Sequence, residues 1–393
     1  MRKYLFVIIS FLVGCNNPGS SEGDTSAGGR KDSSSVTGKD GGGLQGAPDW
    51  ALLPFVKTDS VNPVLTPGDN SFIDPIKKAK VAWEAKDVFN PAIIVKGDTI
   101  YMLYRAQDSV GKPAGTSRIG LAASTDGFHF RRYPAPVLYP DNDAWKKYEW
   151  EGGCEDPRVV EDEKGVYYMT YTAFDGRLAR LLVATSTDLL HWVKWGPAFA
   201  RAFNGKYADS WSKSGAIVSK YINGKIVATK INGKYWMYWG DKSIWAAVSD
   251  DLIHWAPVER EESEGDPKNN ELQVVVATRS KKFDSDLVES GPPAMLTDKG
   301  IVLIYNSRNI PAIGDSALPE GTYAAGQVLL DKGDPMRVVG RLDDYFMKPD
   351  KPYEVTGQVN EVCFLEGLAL YHGKWYLYYG TADSKIAVAV RPE

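Results

Sequence analysis

The chain has 393 residues, 43% of them hydrophobic and 12% aromatic, and its 46 basic and 50 acidic side chains leave a net charge of −4. This slightly acidic balance argues against the basic face that nucleic-acid recognition requires, so no nucleic-acid partner is expected. With only three cysteines, a disulfide-stapled scaffold is excluded, because a core of this size holds together without cross-links.

At the N-terminus, Arg2 and Lys3 precede the apolar run Tyr4 to Val13, which is too short to span a bilayer and reads as a secretion signal. It ends in Leu12-Val13-Gly14-Cys15, which resembles a bacterial lipobox and implies that Cys15 becomes the lipidated first residue of the mature protein. Residues 16–47 are mostly Gly, Ser, Asn, Asp and Lys; they bury too little apolar surface to offset their ordering entropy and are expected to form a flexible tether. Residues 48–393 are then the folded catalytic domain. The expected location is a bacterial cell envelope, with a lipid anchor in a membrane, at the periplasmic face or the cell surface. With Cys15 acylated, Cys154 and Cys363 are expected as free thiols. No cysteine pair has metal-ligand spacing, and neither a metal nor a cofactor is expected.

The folded part repeats itself. Ser124-Thr125-Asp126-Gly127-Phe128-His129-Phe130, Ser186-Thr187-Asp188-Leu189-Leu190-His191-Trp192 and Ser249-Asp250-Asp251-Leu252-Ile253-His254-Trp255 read alike, each after an alternating apolar run, with their serines 62 and 63 positions apart. A second series keeps a similar period: Tyr104, Tyr171, Tyr238 and Tyr305 are each 67 residues from the next, and Tyr379 follows at 74. Strand patterns are separated by turn pairs such as Gly97-Asp98, Asn223-Gly224, Asn232-Gly233 and His372-Gly373, with few helical runs. Repeated four-stranded sheets of this period form a propeller, so the expected fold is all-β, a five-bladed β-propeller.

His129, His191 and His254 occupy one repeated position and are expected to serve blade turns. They therefore offer no Ser-His-Asp or Cys-His nucleophile, and acid and base work falls to carboxylates. The densest candidate stretch is Glu151-Gly152-Gly153-Cys154-Glu155-Asp156-Pro157-Arg158, where Pro157 biases Asp156 toward extended geometry at the start of a strand. In a propeller the innermost strands converge, so polar residues at their ends meet at one mouth. The candidates are Asn90 and Arg105; Glu155, Asp156 and Arg158; Asp209, Trp211, Ser212, Lys213 and Asp241; Glu289, Tyr305 and Asn306; and Glu361, Glu366 and Asp383. Trp211 and Trp239, beside polar candidates, are the tryptophans expected to form a sugar platform.

Asn90-Pro91 with Tyr104-Arg105, the Ser-x-Asp-Gly-x-x-Phe turn, Gly153-Cys154-Glu155-Asp156-Pro157-Arg158, Ser290-Gly291-Pro292-Pro293 and Tyr378-Tyr379-Gly380-Thr381-Ala382-Asp383 together resemble glycoside hydrolase family 130, from about residue 80 to the C-terminus. The resemblance implies a five-bladed propeller acting on β-mannosides with inversion, by phosphorolysis or hydrolysis, with Asp156 as general acid. Where the family's phosphorylases typically have Tyr-His-Gly and Phe-Pro-Cys-Gly, this chain has Tyr305-Asn306-Ser307 and Phe364-Leu365-Glu366-Gly367. A cation is lost and a carboxylate gained, which disfavours a phosphate dianion. Glu289-Ser290-Gly291-Pro292-Pro293 matches the form of the hydrolytic members, which resemble β-1,2-mannosidases. The expected activity is therefore that of an inverting β-mannosidase, with Glu289 as first and Asp241 as second candidate base. Asn90, Arg105, Glu155, Arg158, Asp209, Trp211, Lys213, Tyr305, Asn306, Glu366 and Asp383 are assigned to sugar binding or to orienting the acids. The competing expectations are a mannoside phosphorylase whose phosphate is held by Arg105, Arg158, Lys213 and Arg308, and a non-catalytic glycan-binding lipoprotein.

Overall fold

The computed structural model describes residues 46–109, 115–260 and 271–391; the secretion signal, Cys15 and nearly all of the tether lie outside them. The short strand β1 (Val56–Lys57) precedes a first antiparallel set, β2 (Asp87–Val95), β3 (Ile100–Gln107), β4 (Ser117–Ser124) and β5 (Arg131–Arg132). A second set follows as β6 (Gly153–Glu161), β7 (Tyr167–Phe174), β8 (Ala179–Ser186) and β9 (Val193–Pro197). The third is β10 (Ala216–Ile217), β11 (Lys234–Trp239), β12 (Ile244–Ser249) and β13 (Trp255–Pro257). The fourth is β14 (Leu287–Ser290), β15 (Ile301–Arg308), β16 (Tyr323–Leu330) and β17 (Val338–Arg341). The last is β18 (Cys363–Tyr371), β19 (Lys374–Thr381) and β20 (Lys385–Arg391), completed by β1, with Val56 opposite Val390 and Lys57 opposite Ala389.

The strands are rich in β-branched and aromatic residues, and many are apolar on both faces. This is what a sheet covered on two sides requires. Each apolar core is shared by two neighbouring sets. Met102 and Tyr104 of the first pack with Tyr378 and Val388 of the last. Leu103 and Ile119 pack with Met169 and Leu182, Val183 with Met237 and Ala247, Tyr238 and Ile244 with Leu303 and Val328, and Ile304 and Ala325 with Leu365 and Leu377.

The periodic tyrosines are the repeat's internal struts. A buried phenol needs a hydrogen-bond partner, and four of these five donate to a fully buried carboxylate that is also paired with a cation. Tyr104 donates to Glu84 at 2.7 Å, with Arg132 3.7 Å from the same acid. Tyr171 donates to Glu149 at 2.8 Å, with Lys194 at 2.7 Å. Tyr305 donates to Asp284 at 2.8 Å, with Arg341 at 2.5 Å. Tyr379 donates to Glu354 at 2.8 Å, with Lys57 at 2.7 Å. Tyr238 is the exception, donating to the backbone carbonyl of Pro335 at 2.8 Å.

The repeated histidines close turns. In each, the serine hydroxyl and the aspartate carboxylate accept backbone N–H groups, and the aspartate lies 2.7 Å from the Nδ1 of His129, His191 or His254. Asp188 and Asp251 are thereby spent on turns, and Cys154 and Cys363 are buried free thiols.

Candidate active site

In three sets the first strand carries a β-bulge at a candidate residue, and a bulge re-aims a side chain out of the sheet pattern. Register slips between Phe89 and Pro91, between Glu155 and Arg158, and between Leu365 and Gly367, which singles out Asn90, Asp156 and Glu366. Asn90 and Asp156 take positive φ values of 49° and 48°, a conformation most side chains avoid and one that clusters at functional sites. Asp156 is therefore not in the extended geometry expected of the residue before Pro157: the bulge turns it out of the strand. Pro157 is why the ladder tolerates the break in β6: it has no N–H to leave unpaired.

These bulges bring the first and second sets together. Asn90 Nδ2 donates to Asp156 Oδ1 at 3.0 Å. Arg105 donates from Nη1 to Asp156 Oδ1 at 2.9 Å, from Nη2 to Glu155 Oε1 at 2.7 Å and from Nε to Ser117 Oγ at 3.0 Å, while its guanidinium lies 4.6 Å from the Phe89 ring centroid. Lys213 Nζ, from the segment leading into the third set, is 3.9 Å from Asp156 Oδ2. Ser214, at φ 57°, donates to Glu289. Arg158 crosses to the fourth set, donating from Nη2 to the Ser290 carbonyl at 2.7 Å and from Nε to that of Gly291 at 3.0 Å, and its Nη2 is 3.0 Å from Glu366 Oε1 of the last set.

The electrostatics separate the acids. Burial alone pushes the Asp156 carboxyl upward, but Arg105, Lys213, Asn90 and Arg158 outweigh it and hold it well below the usual carboxylate range. Burial raises Glu289, against the pull of Lys213 and with a further push from Asp241. Burial raises Glu366 well above the ordinary range against Arg158, and Glu155 moderately against Arg105. Asp383 is pushed up to about 6, chiefly by burial and opposed first by Arg105. One ionised carboxylate thus stands among several with elevated affinity for protons, the pattern of a site that moves protons.

Not every candidate reaches this cluster. Tyr305 points into its own sheet, bonded to Asp284 and stacked on Phe283 at 6.3 Å. Asn306 spends its side chain on the backbone of Leu365, donating at 3.0 Å and accepting at 2.7 Å, so it joins the last two sets and leaves little for a sugar. Trp239 is buried against Phe199 and Trp245, with ring centroids at 4.6 and 5.2 Å, and is no platform. Trp211 is 48% exposed and donates to Asp241 Oδ2 at 2.8 Å, at the rim two residues from Lys213. Asp209 lies outward, bonded to Arg180 at 2.9 Å. Arg308 is tied to Asp286. Sequence reading passed over Ser117, Ser214 and Tyr323. Tyr323, at the start of β16, is raised to about 12 by burial first and then by Glu289. Nothing but tertiary placement distinguishes these three from their neighbours.

An all-β protein whose strand ends gather buried carboxylates beside an exposed tryptophan has the site of a carbohydrate-active enzyme. The chain belongs to glycoside hydrolase family 130: residues 63–393 match that family's model, described as beta-1,4-mannooligosaccharide phosphorylase. It is 31% identical over 320 residues, 80% of this chain and 92% of the relative, to a 1,2-beta-oligomannan phosphorylase of Thermoanaerobacter sp. (strain X514). It is 47% identical, with a TM-score of 0.83 over 88% of this chain and 97% of the other, to a crystal structure of a glycosyl hydrolase from Bacteroides ovatus. A further structure, 45% identical with a TM-score of 0.85 over 90% of this chain and 98% of the other, accompanies the statement that this family of mannoside phosphorylases contains glycoside hydrolases that target beta-1,2 mannosidic linkages in Candida mannan. Enzymes of this family act on β-mannosides.

Proposed function

We propose that this protein is an inverting β-mannosidase that hydrolyses β-1,2-linked manno-oligosaccharides, built as a five-bladed β-propeller and held in a bacterial envelope by a lipid on Cys15. The propeller reading follows from apolar cores shared by successive sheets and again by the last and first. The observation that carries hydrolysis is the charge at the mouth. Arg105, Arg158 and Lys213 face Glu155, Asp156, Asp241, Glu289, Glu366 and Asp383, and both guanidiniums already have partners. A phosphate dianion needs converging, unspent cations, and here it meets a surplus of acids. Water does not.

Glu289 is the base: burial strengthens it as a proton acceptor, and Ser214 orients it. Asp156 is the acid toward the glycosidic oxygen. The free protein holds it ionised through Arg105 and Lys213, so it takes up its proton before or with the sugar and gives it to the leaving oxygen. Trp211 offers its face to the sugar that leaves, with Asp241 fixed by the indole.

The test is mannose release from β-1,2-mannobiose by the purified protein, with and without inorganic phosphate, followed by NMR. Free mannose that appears first as the α-anomer and needs no phosphate is expected. Strict dependence on phosphate, with mannose 1-phosphate as product, would overturn hydrolysis in favour of the activity named for the curated relative. Binding without any product would leave a glycan-binding lipoprotein.

A further inference from the structure

Glu366 is fully buried, and neither carboxylate oxygen has a hydrogen-bond donor among the described residues. Arg158 Nη2, which donates to the Ser290 carbonyl, lies 3.0 Å from Oε1 of Glu366, but that contact lacks hydrogen-bond geometry. Burying an acid so poorly satisfied is costly. It cannot retreat, because its backbone is pinned on both sides. Asn306 grips Leu365 through both amide atoms. At Gly367 a Cβ would fall 2.8 Å from the Pro91 carbonyl, so that strand lies directly against β2.

Arg158 in turn holds little but backbone: the carbonyls of Asp156, Ser290 and Gly291. The last two directly follow Glu289, so the guanidinium is the clamp on the strand end that presents this carboxylate, and its third bond reaches the peptide of Asp156. We infer that Glu366 is a positioning residue, which holds Arg158 in place and through it sets the distance between Glu289 and Asp156. The groups facing Glu366 are Arg158, Asp156, Glu289 and Arg105. Removing it leaves the guanidinium free to turn toward the other carboxylates, which loosens the Ser290-Gly291 end.

This rests on Glu289 as the base. The experiment is steady-state kinetics of mannose release on the full-length protein with Glu366→Leu, Glu366→Gln, Arg158→Lys, the Glu366→Leu/Arg158→Lys double variant and Glu289→Gln, with melting temperatures as the folding control. Misplacement of a reacting group costs roughly 100-fold in rate, so Glu366→Leu should lose kcat on that order with KM little changed. Glu366→Gln, which keeps an oxygen toward Arg158, should recover at least roughly tenfold of that loss. The double variant should be no worse than the worse single one, as for residues acting as a unit. Additive losses, or Glu366→Leu with wild-type kcat, would overturn the positioning role. Glu366→Gln as impaired as Glu366→Leu would overturn it too, making Glu366 a proton carrier. Wild-type kcat in Glu289→Gln would instead remove the base assignment, which an inactive Glu289→Gln with additive losses at Arg158 and Glu366 would leave standing.

Discussion

Replacing Lys213 by Met removes an ammonium that lies 3.9 Å from Asp156, has a side chain 21% exposed and is coupled to Glu289, Asp156, Glu155 and Asp241. At that separation, with an effective dielectric near 20, a unit charge is worth about 4 kcal/mol, or roughly three pH units on a titration. Partial exposure of the ammonium reduces this, and about one to two pH units is the expected movement. The direction follows from the roles. Glu289 works ionised and Asp156 protonated, and because the free protein holds Asp156 low and Glu289 high, Asp156 sets the acid limb of kcat/KM and Glu289 the alkaline limb. Losing a nearby cation makes both carboxyls hold protons more tightly, so the whole bell moves to higher pH. The assay is kcat/KM for mannose release across the pH range, with Lys213→Met beside the wild type. Limbs that stay in place, or move down, would refute the assignment of Lys213 as the cation that tunes both acids.

Other outcomes follow from the same geometry. Asp156→Asn should lower kcat by about two to four orders of magnitude, the contribution of a general acid, together with some loss of melting temperature at neutral pH, because the carboxylate answers Arg105 and Lys213; a loss of stability with kcat kept would return Asp156 to a structural role. Glu149→Leu should cost roughly 1 to 3 kcal/mol in denaturant unfolding, because it leaves the buried Tyr171 hydroxyl without an acceptor, while Lys194 keeps the Tyr139 carbonyl and Asp143. Asn306→Ala should cost about 1 to 3 kcal/mol of stability with little change in KM, since the amide serves the Leu365 backbone. Asp383 has its folded carboxyl raised to about 6, so its contribution to stability is present below its ordinary value and lost as pH rises through about 6. Asp383→Asn should therefore gain in melting temperature over the wild type on going from acidic to neutral pH, and a flat difference would contradict that shift.

The tyrosine and histidine series were legible because a repeat forces the same physical problem on each unit. A phenol buried in each sheet needs an acceptor, and a Ser-x-Asp turn supplies the same bonds wherever it recurs. The acids that answer the tyrosines, Glu84, Glu149, Asp284 and Glu354, keep the same repeat, 20, 22, 21 and 25 residues before the phenols they serve, but as single polar residues of two types they carry no motif that marks them without the tyrosine contacts. In the site, Asn90, Asp156 and Glu366 stood out as polar residues interrupting apolar strands, which is what a bulge looks like in one dimension. Tyr305 and Asn306 misled because adjacent strand residues face opposite ways: one fills its own sheet and the other reaches the next. Trp211 and Trp239 differ in burial by position alone, which no composition reveals.

The pairing of β1 with β20 joins Val56 to Val390, two segments far apart along the chain. Until β20 is in place, β1 has no partner for its backbone and its edge stays open. Completing the last sheet therefore brings together segments with very large sequence separation, the slowest kind of contact to form. Lys57 meets buried Glu354 only when that strand docks, so deleting β1 or β20 should be felt as a folding defect even though both strands lie far in sequence from Asp156 and Glu289.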